Sequence, residues 1–384
     1  MKTDKTDTKI ALFFGSDFPP TQSGPSFHHY FLAKKLALNN KVYVYSFIYK
    51  NTILNKIYNQ VLKFTFILQI INNDYDLLII PLWTKQDIFR YLIRYLFKKP
   101  YITLIEGSDF FDSVYPALSK KGLLFKIYGI FLRNSLSDIV KGSSGVLSTL
   151  EIFQYLSKFN VDKNKFRLLP LLYDASNIME SVNNNIIWKK DNITNILFFG
   201  RLEDNKGIKY LVNIIPAIIK VNNNVKFHII GNGTLLHDLI SYTKLNKIQN
   251  YVIFYGYVDH NKIYDYIRSS DIVVNPSTWG AGLGMATLET LVMRKLLILG
   301  NVNLTTKNLH DKYGCYILVE PKNELDLYEK ILEVLNNKKL SETVINNIDD
   351  FLKYELSDEP VKLKLEKIVS DSINYYKKIQ EKST

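Results

Sequence analysis

One cysteine among 384 residues leaves nothing for an internal disulfide framework, and Cys315 reads as buried filler before it reads as a nucleophile. The six histidines are scattered, so no Cys/His cluster has metal-ligand spacing and no metal is expected. Long uncharged apolar runs are also missing. The longest apolar stretch, Ile53 to Ile71, contains Asn55, Lys56, Asn59, Gln60, Lys63 and Gln69; it is a poor membrane span and is expected to be a buried helix. The opening MKTDKTDTKIALFF has charges where a signal peptide needs an apolar core. Lys9 to Phe14 therefore reads as a first buried strand, and a cytoplasmic location is expected. No repeat of solenoid period occurs, and no recognised nucleic-acid motif, so nucleic acid is not an expected partner.

What is present suits two domains: the length is too great for one common domain, and a hydrophobic content of 47% is enough for full cores. Strand-like and helix-like stretches alternate along the chain. The first half reads as strand Lys9 to Gly15, a Pro-rich loop, helix Pro25 to Leu38 and strand Lys41 to Phe47, then strands at Asp76 to Pro81, Tyr101 to Ile105 and Gly145 to Ser148. Helix Glu151 to Phe159 and Phe166 to Pro170 complete it. A polar, asparagine-repetitive run, SVNNNIIWKKDN, places a linker at 176–194, between an N-terminal domain 1–175 and a C-terminal domain 195–358, with a last helix over 359–384. After the linker the pattern restarts with strands at Asn195 to Gly200, Val225 to Ile230, Tyr251 to Gly256 and Asp271 to Asn275, separated by helices at Lys206 to Lys220, Leu235 to Leu245 and Asn261 to Ser269. The expected class is α/β: two Rossmann-like doubly wound domains, whose ligands bind beyond the carboxyl ends of the strands.

Chemistry gathers at those strand ends. Asn275 to Glu289, NPSTWGAGLGMATLE, leaves a strand, crosses three glycines and becomes helical from Met285. Gly280, Gly282 and Gly284 allow close approach of a ligand to the backbone, with the N–H groups of the helix start aimed at it; tight packing of an ordinary strand-to-helix loop explains the same glycines. Arg201 follows a strand end and Lys206 stands at a helix start. A planar fork and a point charge beside a helix N-terminus suit a diphosphate, and a solvated basic pair is the other reading. Glu106 and Asp109, just after the strand Tyr101 to Ile105, could act on or orient a hydroxyl, or cap a helix. Gly24 precedes a helix, where it serves either a ligand-facing loop or a turn.

Taken together, FFGRLEDNKGIKYLV, the GNG turn at 231–233, FYGYV at 254–258 and NPSTWGAGLGMATLE resemble, in order and spacing, the retaining glycosyltransferases of family 4, two-domain GT-B enzymes that use nucleotide-activated sugars. SGPSFHHYFLAKKLA and SLSDIVKGSSGVLSTLE resemble parts of the N-terminal domain of that family. The resemblance implies that Arg201 and Lys206 bind the donor diphosphate and neutralise the leaving group, that Glu289 accepts hydrogen bonds from the ribose, and that Gly282, Leu283 and Gly284 offer backbone N–H groups. It further implies that Tyr257 and Val258 flank the base, that Asn232 and Gly24 belong to the donor-binding set, and that Glu106 occupies a catalytic position. No cofactor is implied, a nucleotide sugar, most simply a UDP-sugar, being the substrate. The implied reaction moves a hexose or N-acetylhexosamine to a glycan or lipid-linked acceptor in surface polysaccharide synthesis.

Two positions depart from the family pattern. Ala281 stands where a glutamate usually contacts the transferred sugar, and Glu106 where a histidine is common. A non-catalytic GT-B subunit that stabilises a partner glycosyltransferase is therefore a second reading. Charge adds a further expectation: residues 1–175 hold 23 Lys and Arg against 13 Asp and Glu, whereas residues 176–384 hold 26 against 24. The basic half, including KQDIFRYLIRYLFKK at 85–99, suits an anionic membrane surface, peripheral on the inner face of the cell membrane; a helix packed on its own domain, with Arg and Lys stems at the rim, explains the same segment.

Overall fold

The computed structural model describes residues 8–14, 24–46, 61, 65, 68, 72, 75–81, 99–105, 139–156, 161–173, 187–188, 192–280 and 282–383. Parallel strands covered on both faces need unbroken apolar runs, and this chain supplies them repeatedly. Leu77–Pro81, Tyr101–Ile105 and Leu296–Gly300 are buried along their whole lengths. The described residues divide into two units, one of residues 1–173 with 358–384 and one of residues 174–357.

The first unit contains β1 (Lys9–Phe14), α1 (Gly24–Leu36), β2 (Lys41–Ser46), β3 (Leu77–Pro81), β4 (Tyr101–Ile105), β5 (Gly145–Ser148), α2 (Leu150–Leu156) and β6 (Phe166–Leu168). Its strands are all parallel, in the order β2-β1-β3-β4-β5-β6. Gly24 is the first residue of α1, not part of the preceding loop. The stretch expected as a buried helix is described at 61, 65 and 68 only; these residues are helical, but Val61 and Leu68 are exposed, so at these points the stretch does not bury its apolar side chains. Residues 82–98, which include most of the basic aromatic segment, and residues 106–138, with Glu106 and Asp109, lie outside the described residues.

The second unit runs β7 (Thr194–Phe199), α3 (Ile208–Val221), β8 (Val225–Ile230), α4 (Leu236–Leu245), β9 (Val252–Gly256), α5 (His260–Ser269), β10 (Ile272–Asn275), α6 (Met285–Val292), β11 (Leu296–Gly300), α7 (Leu304–Tyr313), β12 (Ile317–Val319), α8 (Glu324–Asn336) and α9 (Lys338–Phe351). The sheet is again parallel, ordered β12-β11-β10-β7-β8-β9. In α3, Ile208, Leu211, Val212, Ile215 and Ile218 recur at helical spacing and are buried against this sheet's core. Most of 176–194 lies outside the described residues, but Trp188 within it is no free linker residue. It stacks on the His228 ring at 3.6 Å and donates to the Tyr255 hydroxyl at 3.0 Å. Burial lowers the His228 pKa to about 4, so this ring packs as neutral imidazole.

The last helix, α10 (Asp358–Ser383), packs within the first unit. Val361, Leu365 and Ile368 are buried, and Tyr375 donates to Asp162 at 2.6 Å. A Cβ at Gly145 would stand 2.6 Å from Ser372 Oγ, so the glycine opening β5 is what lets this helix come close. Lys35 in the last turn of α1 and Asn39 in the turn after it pair with Asp358 and Glu366. Among the described residues no helix is long and apolar enough to cross a membrane.

Candidate active site

The order of a doubly wound sheet reverses at one point, and loops leaving the strands on either side of it part there to leave a crevice. In the second unit that point lies between β7 and β10, whose following loops are the two stretches singled out above. They are joined backbone to backbone. The Thr278 amide donates to the Asn205 carbonyl at 3.0 Å, and a Cβ on Gly207 would stand 1.9 Å from the Pro276 carbonyl oxygen. Gly207 is also left-handed, at φ +69°, where it closes the turn Asp204–Lys206 and caps α3. The β8 loop is drawn in as well: Leu202 donates to the Asn232 carbonyl at 2.9 Å, and a Cβ on Gly231 would meet the Gly200 carbonyl at 1.8 Å. Several of these glycines thus serve loop packing, and that packing carries Arg201, Lys206 and Asn232 to the strand ends.

The expected helix start at Lys206 is displaced: Lys206 closes a 3-10 turn and α3 begins at Ile208. Neither α3 nor α6 has a side-chain cap, so their first N–H groups keep their partial positive charge. Arg201 is exposed and holds the Glu203 carboxylate at 2.8 Å. Lys206 has no ion-pair or hydrogen-bond partner among the described residues. Burial lowers its pKa, and the neighbouring Arg201 adds to the effect, partly offset by Glu203. A partly buried ammonium with no ion-pair partner among the described residues, directly before the uncapped start of α3, is a site for an anion.

The glycine loop is shaped by a residue that motif reading did not single out. Asn303 donates from one Nδ2 to the Gly280 and Gly282 carbonyls, at 3.2 and 3.0 Å, while its Oδ1 accepts from the Thr306 amide at 2.8 Å and caps α7. Across a trans peptide the Leu283 N–H points opposite to the Gly282 carbonyl, hence away from Asn303. Leu283 buries its side chain, and exposed Gly284 opens α6 with nothing within 4 Å of a would-be Cβ. Asn303→Ala removes both loop bonds and the cap together; a loss of about 1 to 2 kcal/mol in chemical denaturation is expected, and a loss below about 0.5 kcal/mol would contradict this account.

Glu289 lies in the second turn of α6 and is only 3% exposed. Its Oε1 is 2.8 Å from His260 Nε2. This hydrogen bond is the main cause of a raised His260 pKa, which burial opposes. His260 opens α5, directly after the exposed Tyr257 and half-buried Val258 of the β9 loop. Its only sequence signal is a histidine at a helix start; the pairing spans 29 residues and two elements. The second unit therefore brings Arg201, Lys206, Asn232, Tyr257, Val258, Gly282, Leu283, Gly284 and Glu289 to loops and helix starts at one edge of one sheet. Gly24 belongs to the other unit, and Glu106 and Ala281 lie outside the described residues.

Residues 193–337, which hold all of this edge, match the family model described as Glycosyl transferases group 1. An uncharacterized glycosyltransferase of Methanocaldococcus jannaschii is 27% identical over 231 residues, 58% of this chain and 56% of that protein. The alpha-D-kanosaminyltransferase of Streptomyces kanamyceticus is 26% identical over 164 residues, 42% of each chain. The chain thus spans about half the length of the curated relatives it matches. Among solved structures, Anabaena HepE in complex with UDP and glucose has a TM-score of 0.66 at 14% identity, over 94% of this chain and 99% of that one. The fold is that of the GT-B glycosyltransferases, and the match to the glycosyl transferases group 1 model lies within the second unit.

Proposed function

We propose that the protein is a retaining glycosyltransferase that moves a hexose or N-acetylhexosamine from a UDP-sugar to a glycan, lipid-linked at the membrane and destined for surface polysaccharide. The observation that carries the reading is the partly buried Lys206, without an ion pair among the described residues, at the uncapped start of α3 with Arg201 beside it. Cleaving a sugar from a nucleoside diphosphate leaves negative charge on the departing phosphate, and cations fixed in advance at that point lower the barrier. Gly282, Leu283 and Gly284 add backbone donors to the phosphate or sugar. Glu289 takes the ribose hydroxyls, Tyr257 and Val258 flank the base, and Asn232 borders the phosphates. Gly24 and Glu106 are the residues of the N-terminal domain that the family resemblance assigns to the reaction. The names of relatives agree: one is a sugar transferase, and a protein of the same fold was solved with UDP and glucose.

The basic first half supports docking of the enzyme on an anionic inner membrane face, where such an acceptor would be held. Ala281 favours a second reading, a non-catalytic subunit, because a methyl group offers a sugar hydroxyl no hydrogen bond. The purified protein, given UDP-, GDP- and ADP-sugars together with a membrane acceptor fraction, is expected to release UDP. Binding of a nucleotide without release from any sugar would favour the subunit, and neither binding nor release would sink both readings.

A further inference from the structure

We propose that His260 is a positioning residue that orients the Glu289 carboxylate for the ribose of a bound nucleoside diphosphate; the inference rests on the donor-site reading above. A carboxylate buried in the second turn of α6 carries a desolvation cost unless it is hydrogen-bonded, and an ionised one can only accept. His260 meets that need from a different element. Its Nε2 lies 2.8 Å from Oε1, which fixes the tautomer with the proton on Nε2. Tyr264, one turn further along α5, stands edge-on to the imidazole at 5.5 Å and 83°, and so restrains the plane of the ring.

The histidine side chain is 39% exposed and that of the glutamate 4%, so the ring sits between the carboxylate and solvent. Holding Oε1 fixes the rotation of the whole group and sets the direction in which Oε2 accepts. The same bond ties two parts of the site together. His260 is three residues beyond Tyr257, on the loop assigned to the base, while Glu289 belongs to the helix that begins at the phosphate loop. A ligand that seats its base against that loop therefore meets a carboxylate already aimed at its sugar.

Titration calorimetry on the full chain with UDP and with 2′,3′-dideoxy-UDP tests this. For His260→Ala, UDP affinity is expected to fall roughly tenfold, while affinity for the dideoxy ligand, which offers Glu289 nothing to hold, stays within about twofold. His260→Gln, whose amide nitrogen reaches near the position of Nε2, is expected to restore most of the UDP affinity. Equal losses for both ligands, or no loss for either, would overturn the role. Lys206→Ala keeps the two readings separable, since it is expected to weaken both ligands alike. If the wild-type protein binds neither UDP nor ADP nor GDP, the donor-site reading fails and this inference fails with it.

Discussion

Lys206→Ala is expected to lower the rate of sugar transfer by about two to three orders of magnitude while leaving the melting temperature unchanged or raised. The two halves of that expectation have one cause. The Lys206 ammonium is partly buried, lies close enough to Arg201 for the two charges to repel, and makes no ion pair among the described residues, so the fold holds this charge at a cost. Because the folded-state pKa is lowered, the charged form is disfavoured by folding at neutral pH, and alanine removes that penalty. A residue kept for stability would show the opposite pattern. In transfer, the same lack of a partner becomes an advantage, since the ammonium needs no rearrangement before it meets the charge developing on the leaving phosphate. Initial rates of UDP release and a calorimetric melt on the same preparations would decide the matter; a variant that transfers normally, or one that melts well below wild type, contradicts the assignment.

Gly207→Ala is expected to destabilise the second unit by about 3 kcal/mol or more, a drop of roughly 6 to 12 °C in its melting temperature. A left-handed φ of +69° costs alanine about 1 kcal/mol by itself. The new Cβ would lie 1.9 Å from the Pro276 carbonyl oxygen and 2.7 Å from its carbon, both backbone atoms that cannot rotate aside. The chain must then separate the β7 and β10 loops, stretching the Thr278 to Asn205 hydrogen bond and displacing the adjacent Lys206. Loss of UDP affinity should accompany the loss of stability. A shift of less than about 2 °C with full affinity would show that the junction is softer than its geometry implies.

Much of this architecture is legible along the chain. β4, β5 and β8 fall on the residues that apolar runs predict, and most other boundaries differ by one or two residues, because a strand buried on both faces and an amphipathic helix each leave a local period. Arg201, the glycine loop and Glu289 are legible for a similar reason, being spaced along two short strand-to-helix connections. Misreadings occur where local pattern and burial part company. Val61 and Leu68 are apolar yet exposed, and Trp188, inside a polar run, is stacked on the buried His228 of β8.

What the amino-acid sequence by itself determined, then, is the kind of layer each stretch forms and the presence of cations, glycines and a carboxylate just beyond strand ends. Those are properties of neighbours along the chain, governed by backbone dihedrals and hydrophobic period. Only the tertiary structure decided that β7 lies beside β10, so that two loops about 70 residues apart close on each other through Gly207 and Pro276. It also decided that Asn303 ties the glycine loop to α7 and that His260 holds Glu289. Hydrogen bonds between residues distant in the chain depend on how whole elements pack, and no local period encodes them.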